Sequence, residues 1–307
     1  MRGVSGTEQI NILVPYKASE DVAAVQDIFV YLRPETNGML TESVLFGVLR
    51  GSKTYSSHTR MVYLANIPGE FLVEHRIVEE HYRLKLEFAR KGRELFTPSM
   101  IERFEARFKE DFDRAPVLGA FQFIERTGMD EEELFNIWVD ESDFMVLNGQ
   151  TVKHWKGMYI VNYDIPALLH RSSCGTDIAV FLLRSTLSSR EFRDMIRDME
   201  ASLRVAGILE KNKPSSRVFH YSKGPFEQLL DAKGFLYNPD GSHVPLEKLS
   251  FYRFLTARGV TKSNIEGILD YPIMMFPGRG GKTIEENVFT YTAGMSYAEA
   301  FQAITGN

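Results

Sequence analysis

Tyr271-Pro272-Ile273-Met274-Met275-Phe276-Pro277-Gly278-Arg279-Gly280-Gly281-Lys282-Thr283 is the stretch on which the fold class turns. An apolar run leads into a loop of glycines, two cations and a hydroxyl. Read as G-x-x-x-x-G-K-[ST], Gly281-Lys282-Thr283 supplies the ending of a nucleotide-binding α/β protein. The first glycine of that pattern falls on Phe276, however. A phosphate loop must also run straight into a helix whose N-terminus faces the phosphate. Here Ile284-Glu285-Glu286-Asn287-Val288-Phe289-Thr290-Tyr291-Thr292 follows, and its second half reads as a strand. The P-loop is rejected. The dinucleotide fingerprint fails too, because Thr283 stands where Gly278-Arg279-Gly280 would require a third glycine. No G-x-S-x-G elbow and no kinase signature occur.

The loop keeps its chemistry without the motif. Glycines let backbone N–H groups approach a ligand closely, and successive N–H groups form an anion-binding concavity. Gly278, Gly280 and Gly281 with Arg279, Lys282 and the Thr283 hydroxyl make a candidate cradle for a phosphate or carboxylate. A plain surface connection is the competing reading, since glycine punctuates loops more often than it binds phosphate.

Working outward, His170-Arg171-Ser172-Ser173-Cys174-Gly175-Thr176-Asp177 is a second polar cluster ahead of an apolar strand. Arg171 is a candidate anion clamp, and His170, Cys174 and Asp177 are candidate catalytic groups. A lone cysteine is more often a small buried hydrophobe than a nucleophile. The histidines give no metal signature. His75 and His81 are six apart and point in different directions from a helix, while His154, His170, His220 and His243 are scattered. No metal site and no cofactor are assigned.

The chain has 307 residues, 44% hydrophobic and 25% charged, the composition of an ordinary globular protein. There are 36 Lys and Arg against 41 Asp and Glu, a formal net charge of −5, which disfavours nucleic acid as a partner. One cysteine allows no internal disulfide and no thiolate zinc site. The first residues lack a signal-peptide core, and no apolar run approaches the roughly 18 to 20 residues that span a bilayer. A soluble cytoplasmic protein without membrane contact is expected.

Local signals place most elements. Gln9–Tyr16, Arg60–Ile67, Val117–Ile124, Met158–Asn162, Thr176–Leu183 and Arg217–Tyr221 read as strands. Ser19-Glu20-Asp21 opens a helix with Val22, Val25, Ile28 and Phe29 at helical spacing. Leu45, Val48 and Leu49 form an apolar face, helix or strand. Glu70 to Phe112 is helical, and Thr97-Pro98 starts a helix with Ile101, Phe104, Phe108 and Phe112 along one side. Ser188-Ser189-Arg190-Glu191 is a capping box before Phe192, Met195, Ile196, Met199 and Leu203. Leu246–Thr256 is a further helix, and Ser296 caps the last one.

Strands and helices alternate without the regular beat of a barrel or doubly wound sheet, so an α+β fold of mixed sheets on amphipathic helices is expected. Asn148-Gly149, a turn signal, divides the chain into expected domains 1–149 and 150–307, unless the whole is one large domain. Ser56-Ser57 and Ser172-Ser173 each precede a strand and a helix. The echo suggests two related α/β halves, and chance is the stronger explanation.

Two function classes follow: binding or turnover of a small anionic ligand at 278–283, or a non-catalytic protein acting through an oligomer or partner interface. Phe104, Phe108, Phe112, Trp138 and Trp155 are the aromatics available to such an interface. Convergent polar groups in a recess would favour the first; an apolar face without them, the second.

Overall fold

The structure is a computed structural model that describes residues 9–20, 25–172, 175–278 and 281–306. Among these the strands are β1 (Asn11–Val14), β2 (Gln26–Leu32), β3 (Thr59–Ile67), β4 (Val117–Gly119), β5 (Phe144–Leu147) and β6 (Gln150–Trp155). They continue with β7 (Met158–Val161), β8 (Ile178–Ser185), β9 (Phe219–Tyr221), β10 (Ile273–Pro277) and β11 (Thr283–Asn287). The fold is α+β. Its residues cluster into two compact units, and the chain passes between them more than once. The first comprises 1–77, 173–270 and 292–307; the second, 78–172 and 271–291.

The first unit is built on an antiparallel sheet in the order β1-β3-β8-β2-β9. Every residue of β8 is buried, and so is all of β2 after Gln26. Both faces of these strands are covered, which is why they read as continuous apolar runs rather than alternating ones. Ile28, Val30 and Leu32 pack with Phe181 and Leu183 into one core. Leu45 of the Met39–Gly51 helix and Met195 and Met199 of the Ser189–Val205 helix complete it. Asp27, Phe29 and Tyr31 project to the opposite side, where the Pro225–Phe235, Ser250–Thr256 and Tyr297–Thr305 helices contribute partners.

Here the sequence expectation of a helix opening at Ser19 is corrected. Residues 21–24 lie outside the described set, and Ile28 and Phe29 belong to β2. Hydrogen bonds from β8 on one edge and β9 on the other outweigh the local helical spacing. Leu45, Val48 and Leu49 resolve as helix. The capping boxes at Ser188 and Ser296 form as the sequence suggests. Leu246–Lys248 is a 3-10 turn ahead of Ser250–Thr256, not one helix. The strands behind the two Ser-Ser echoes, β3 and β8, lie side by side in this one sheet.

The second unit holds a mixed four-stranded sheet, β4-β7-β6-β5, in which only β4 and β7 run parallel, and the β10–β11 hairpin. Phe88, Phe96, Phe104, Phe112 and Tyr159 fill the core on one sheet face; Phe123, Leu134 and Ile160 belong to another cluster. The stretch expected to be helical from 70 to 112 is broken at Arg76 and Gly92, and its last helix ends at Phe108, with Lys109 also at positive φ, so Phe112 lies beyond it. Thr97 caps the Pro98–Phe108 helix, accepting from the Met100 amide at 3.2 Å and donating to Glu285 Oε1 at 2.5 Å. Asn148-Gly149 is the two-residue turn of the β5–β6 hairpin, so the boundary expected there falls within this unit.

Val117–Ile124 is corrected from one strand to a short strand and a helix. Gly119 ends β4 and caps the Ala120–Thr127 helix, and its amide donates to Gln122 Oε1 at 2.8 Å. A Cβ at Gly119 would lie 2.3 Å from the Ala89 carbonyl oxygen. We expect Gly119→Ala to destabilise the second unit by about 3 kcal/mol, because the obstacle is backbone and not a flexible side chain. A thermal melt unchanged from wild type would contradict this.

Candidate functional site

The glycine-rich segment joins β10 to β11. The Gly278 amide donates to the Lys282 carbonyl at 2.6 Å, so the N–H expected to face an anion closes the hairpin instead. Gly281 adopts φ +77°, and Lys282 and Thr283 are exposed. Arg279 and Gly280 lie outside the described residues. A strand follows the loop directly, but not where the sequence expectation placed it. That strand is the first half of 284–292, while Val288–Tyr291 forms a helical turn. Arg103 holds β11 through the Glu285 carbonyl (3.2 Å) and the Glu286 carboxylate (3.4 Å).

The second expected cluster is divided between the units. His170 is exposed and Arg171 half-buried near the end of the Ile165–Arg171 helix in the second unit. Arg171 is gripped by both oxygens of Glu132 (2.7 and 2.5 Å) and lies over the Phe135 ring, which offsets the charge meant for an anion. Asp177 belongs to the first unit, where it accepts from Asn66 Nδ2 at 3.0 Å and the Gly69 amide at 3.2 Å. Those bonds make it a structural brace between β3 and the turn after it. Cys174 lies outside the described residues.

A different set of groups converges in the first unit. β9 is the edge strand, and its antiparallel register sets His220 beside Tyr31 with the rings stacked at 4.5 Å. The chain then turns through Ser222-Lys223-Gly224 into the Pro225–Phe235 helix. Gly224 is needed at that turn, because a Cβ would come 2.5 Å from the Thr292 carbonyl oxygen. Glu227 and Asp231, spaced i and i+4, share a face of the helix. His220 Nε2 stands 3.4 Å from Asp231 Oδ2 and 3.7 Å from Glu227 Oε1.

Burial grades the cluster. The Asp231 side chain is 0% exposed, while His220 (14%) and Glu227 (16%) reach the solvent boundary. Each carboxylate is fixed from behind. Ser222 Oγ donates to Asp231 Oδ2 at 2.6 Å and itself accepts from the Phe29 amide. The Lys223 amide donates to Glu227 Oε2 at 2.6 Å. Burial pushes the Glu227 carboxyl above the ordinary carboxylate range, with His220 opposing the rise and Asp231 adding to it. A carboxyl group whose proton burial holds more tightly, beside an imidazole, can supply a donor and an acceptor together.

Sequence reading left His220 among the scattered histidines. The signal it held was modest: Glu227 and Asp231 share a helix face once that helix is assigned. Nothing local says that this face meets a histidine on β9. Among the described residues no group of three or more His, Cys, Asp or Glu is arranged to hold a metal ion, and no helix is long and apolar enough to cross a membrane. Comparison with known protein families, with characterised proteins and with solved structures finds no match.

Proposed function

We propose that the protein is an acid–base enzyme acting on a small polar molecule, with its centre at His220, Glu227 and Asp231. The observation behind this reading is the graded burial of an imidazole whose Nε2 lies 3.4 and 3.7 Å from two carboxylates. Asp231 orients the ring, His220 accepts a proton, and protonated Glu227 donates one. The anionic ligand expected at the hairpin loop remains a proposal resting on Lys282, Thr283 and Gly281. A phosphate-dependent rise in melting temperature that Lys282→Ala abolishes would support it.

The acid–base reading makes a pH prediction. A carboxyl whose native pKa is raised binds more protons folded than unfolded between the two values. Its contribution to stability is therefore present below the unfolded pKa, near 4.3, and is lost as pH rises through the native value. Glu227→Gln, a neutral isostere, removes this loss, so the variant should gain stability relative to wild type as pH rises from 4 to 8. Equal pH profiles would remove the case for a protonated Glu227. Turnover of chromogenic phosphomonoesters, amides or glycosides that His220→Gln and Glu227→Gln both abolish would support the function. Turnover retained by both would overturn it.

A second reading, association, has one observation in its favour. The Met39–Gly51 and Ser189–Val205 helices leave a shallow recess lined by Val44, Gly47, Val48, Ala201 and Val205, with no charged residue. Met39 and Val205 are 84% and 90% exposed. An apolar face of this kind is where a partner or second copy would bind. Self-association in sedimentation that Val205→Glu reverses would favour this reading.

A further inference from the structure

The second unit carries another imidazole aligned by a carboxylate, and its geometry follows from a turn. Asn148 and Gly149 adopt φ of 47° and 78°, the positive pair of a two-residue hairpin turn that matches strand twist. That turn fixes the register from Leu147↔Gln150 to Phe144↔Lys153. One step further along the same register, Asp143 stands opposite His154. The two meet, with His154 Nδ1 2.8 Å from Asp143 Oδ1. On the other side of β6, His154 pairs with Tyr159 of β7, and the rings stack at 4.6 Å. Phe108 flanks the imidazole at 6.3 Å.

The surroundings hold this arrangement in place. Arg107 donates to the Glu141 and Phe144 carbonyls, fixing the segment that carries Asp143. Burial, followed by the nearby Glu110 carboxylate, pushes the Tyr159 hydroxyl up to about 12. Tyr159 therefore stays a neutral wall for the ring. A carboxylate oxygen can only accept, so His154 Nδ1 carries the hydrogen, and Nε2 of the neutral ring holds the lone pair. Among the described residues Nε2 has no hydrogen-bond partner, and the side chain is 30% exposed. Carboxylate at one nitrogen and open access at the other is the arrangement of a general base.

We infer that His154 and Asp143 form a general-base dyad that activates a hydroxyl, from water or an alcohol, against a small acyl compound. As the hydroxyl oxygen bonds to the acyl carbon, its proton passes to Nε2. The bond from acyl carbon to leaving-group oxygen then breaks, its electron pair departs on that oxygen, and the proton on Nε2 is returned to it or to solvent. Asp143 keeps the ring in the correct tautomer and stabilises the imidazolium.

The test uses the full chain and p-nitrophenyl acetate. Release of nitrophenolate above the buffer rate should fall at least about tenfold in His154→Gln and comparably in Asp143→Asn. His75→Gln, which alters an exposed imidazole of the first unit, should keep the wild-type rate. Nitrogen NMR of the folded wild type should find the hydrogen of the neutral ring on Nδ1, a readout independent of turnover and of how the variants fold. The proposal is overturned by any of four results: no release above buffer, a wild-type rate in His154→Gln, the hydrogen on Nε2, or acetyl-His154 accumulating as an intermediate.

Discussion

Replacing Asp27 by alanine should destabilise the first unit by about 3–5 kcal/mol, the usual cost of leaving one member of a buried ion pair alone. Asp27 is 2% exposed and grips the Arg184 guanidinium at both oxygens, with Nε at 2.7 Å and Nη2 at 3.1 Å. The pair spans β2 and β8, and Asp27 Oδ2 also accepts from Ser250 at 2.7 Å. Ser250 meets the Tyr297 hydroxyl, which accepts from the Asp27 amide. One carboxylate thus ties two strands to two helices. Burial opposes the Arg184 charge, and hydrogen bonding to Asp27, the Asp27 charge and Tyr16 together outweigh that opposition.

Without Asp27 the guanidinium keeps, among the described residues, the Lys17 carbonyl at 2.8 Å and the Tyr16 hydroxyl at 3.4 Å. The melting temperature should fall on the order of 10 °C. Asp27→Leu combined with Arg184→Met should recover much of the loss, because no buried charge is then left uncompensated. An Asp27→Ala protein within about 1 kcal/mol of wild type would show that water reaches the pair and that it is not buried in solution.

Phe104→Ala is expected to cost the second unit about 3–5 kcal/mol. The ring is fully buried, with Tyr159 at 4.7 Å, Phe108 at 5.0 Å, Phe112 at 5.2 Å and Phe96 at 6.5 Å. Four rings, three of them from 96–112 and one from β7, meet on it, so truncation opens a cavity that none of them can fill without leaving another neighbour. Phe104→Leu should cost only about 1–1.5 kcal/mol, since it keeps most of the volume. Urea unfolding and amide exchange along β6 and β7 would read both variants. Equal costs for Ala and Leu would mean that the site collapses and that ring packing does not set its energetics.

The helix that carries Phe104 was legible in the sequence, because a capped start at Thr97 and apolar residues at helical spacing depend only on neighbours along the chain, whereas the burial that withdraws Phe104 and Phe112 from the expected interface was not. The Ser188 box and the Asn148-Gly149 turn signal are local in the same way. That turn was read as a boundary, and only the strands on either side show that it closes a hairpin and sets Asp143 opposite His154. The Gln26–Leu32 run was not legible. Its apolar residues satisfy either period, and only the strands on both its edges distinguish a doubly covered strand from a helix. Val117–Ile124 failed for a related reason. The helix begins where Gly119 meets the Ala89 carbonyl, a contact thirty residues distant in the chain.

The sequence by itself determined the α+β class, the starts of the capped helices and the Asn148-Gly149 turn signal, because each depends on hydrogen bonds and steric limits within a few residues. Tertiary structure alone decided that His220 meets carboxylates distant from it in the chain. His220 meets Glu227 and Asp231 only because the Pro225–Phe235 helix packs against the sheet at β9, and Asp27 finds Arg184 only because β2 and β8 are neighbours. Buried polar groups must find partners wherever the fold provides them, and no local pattern along the chain encodes that choice.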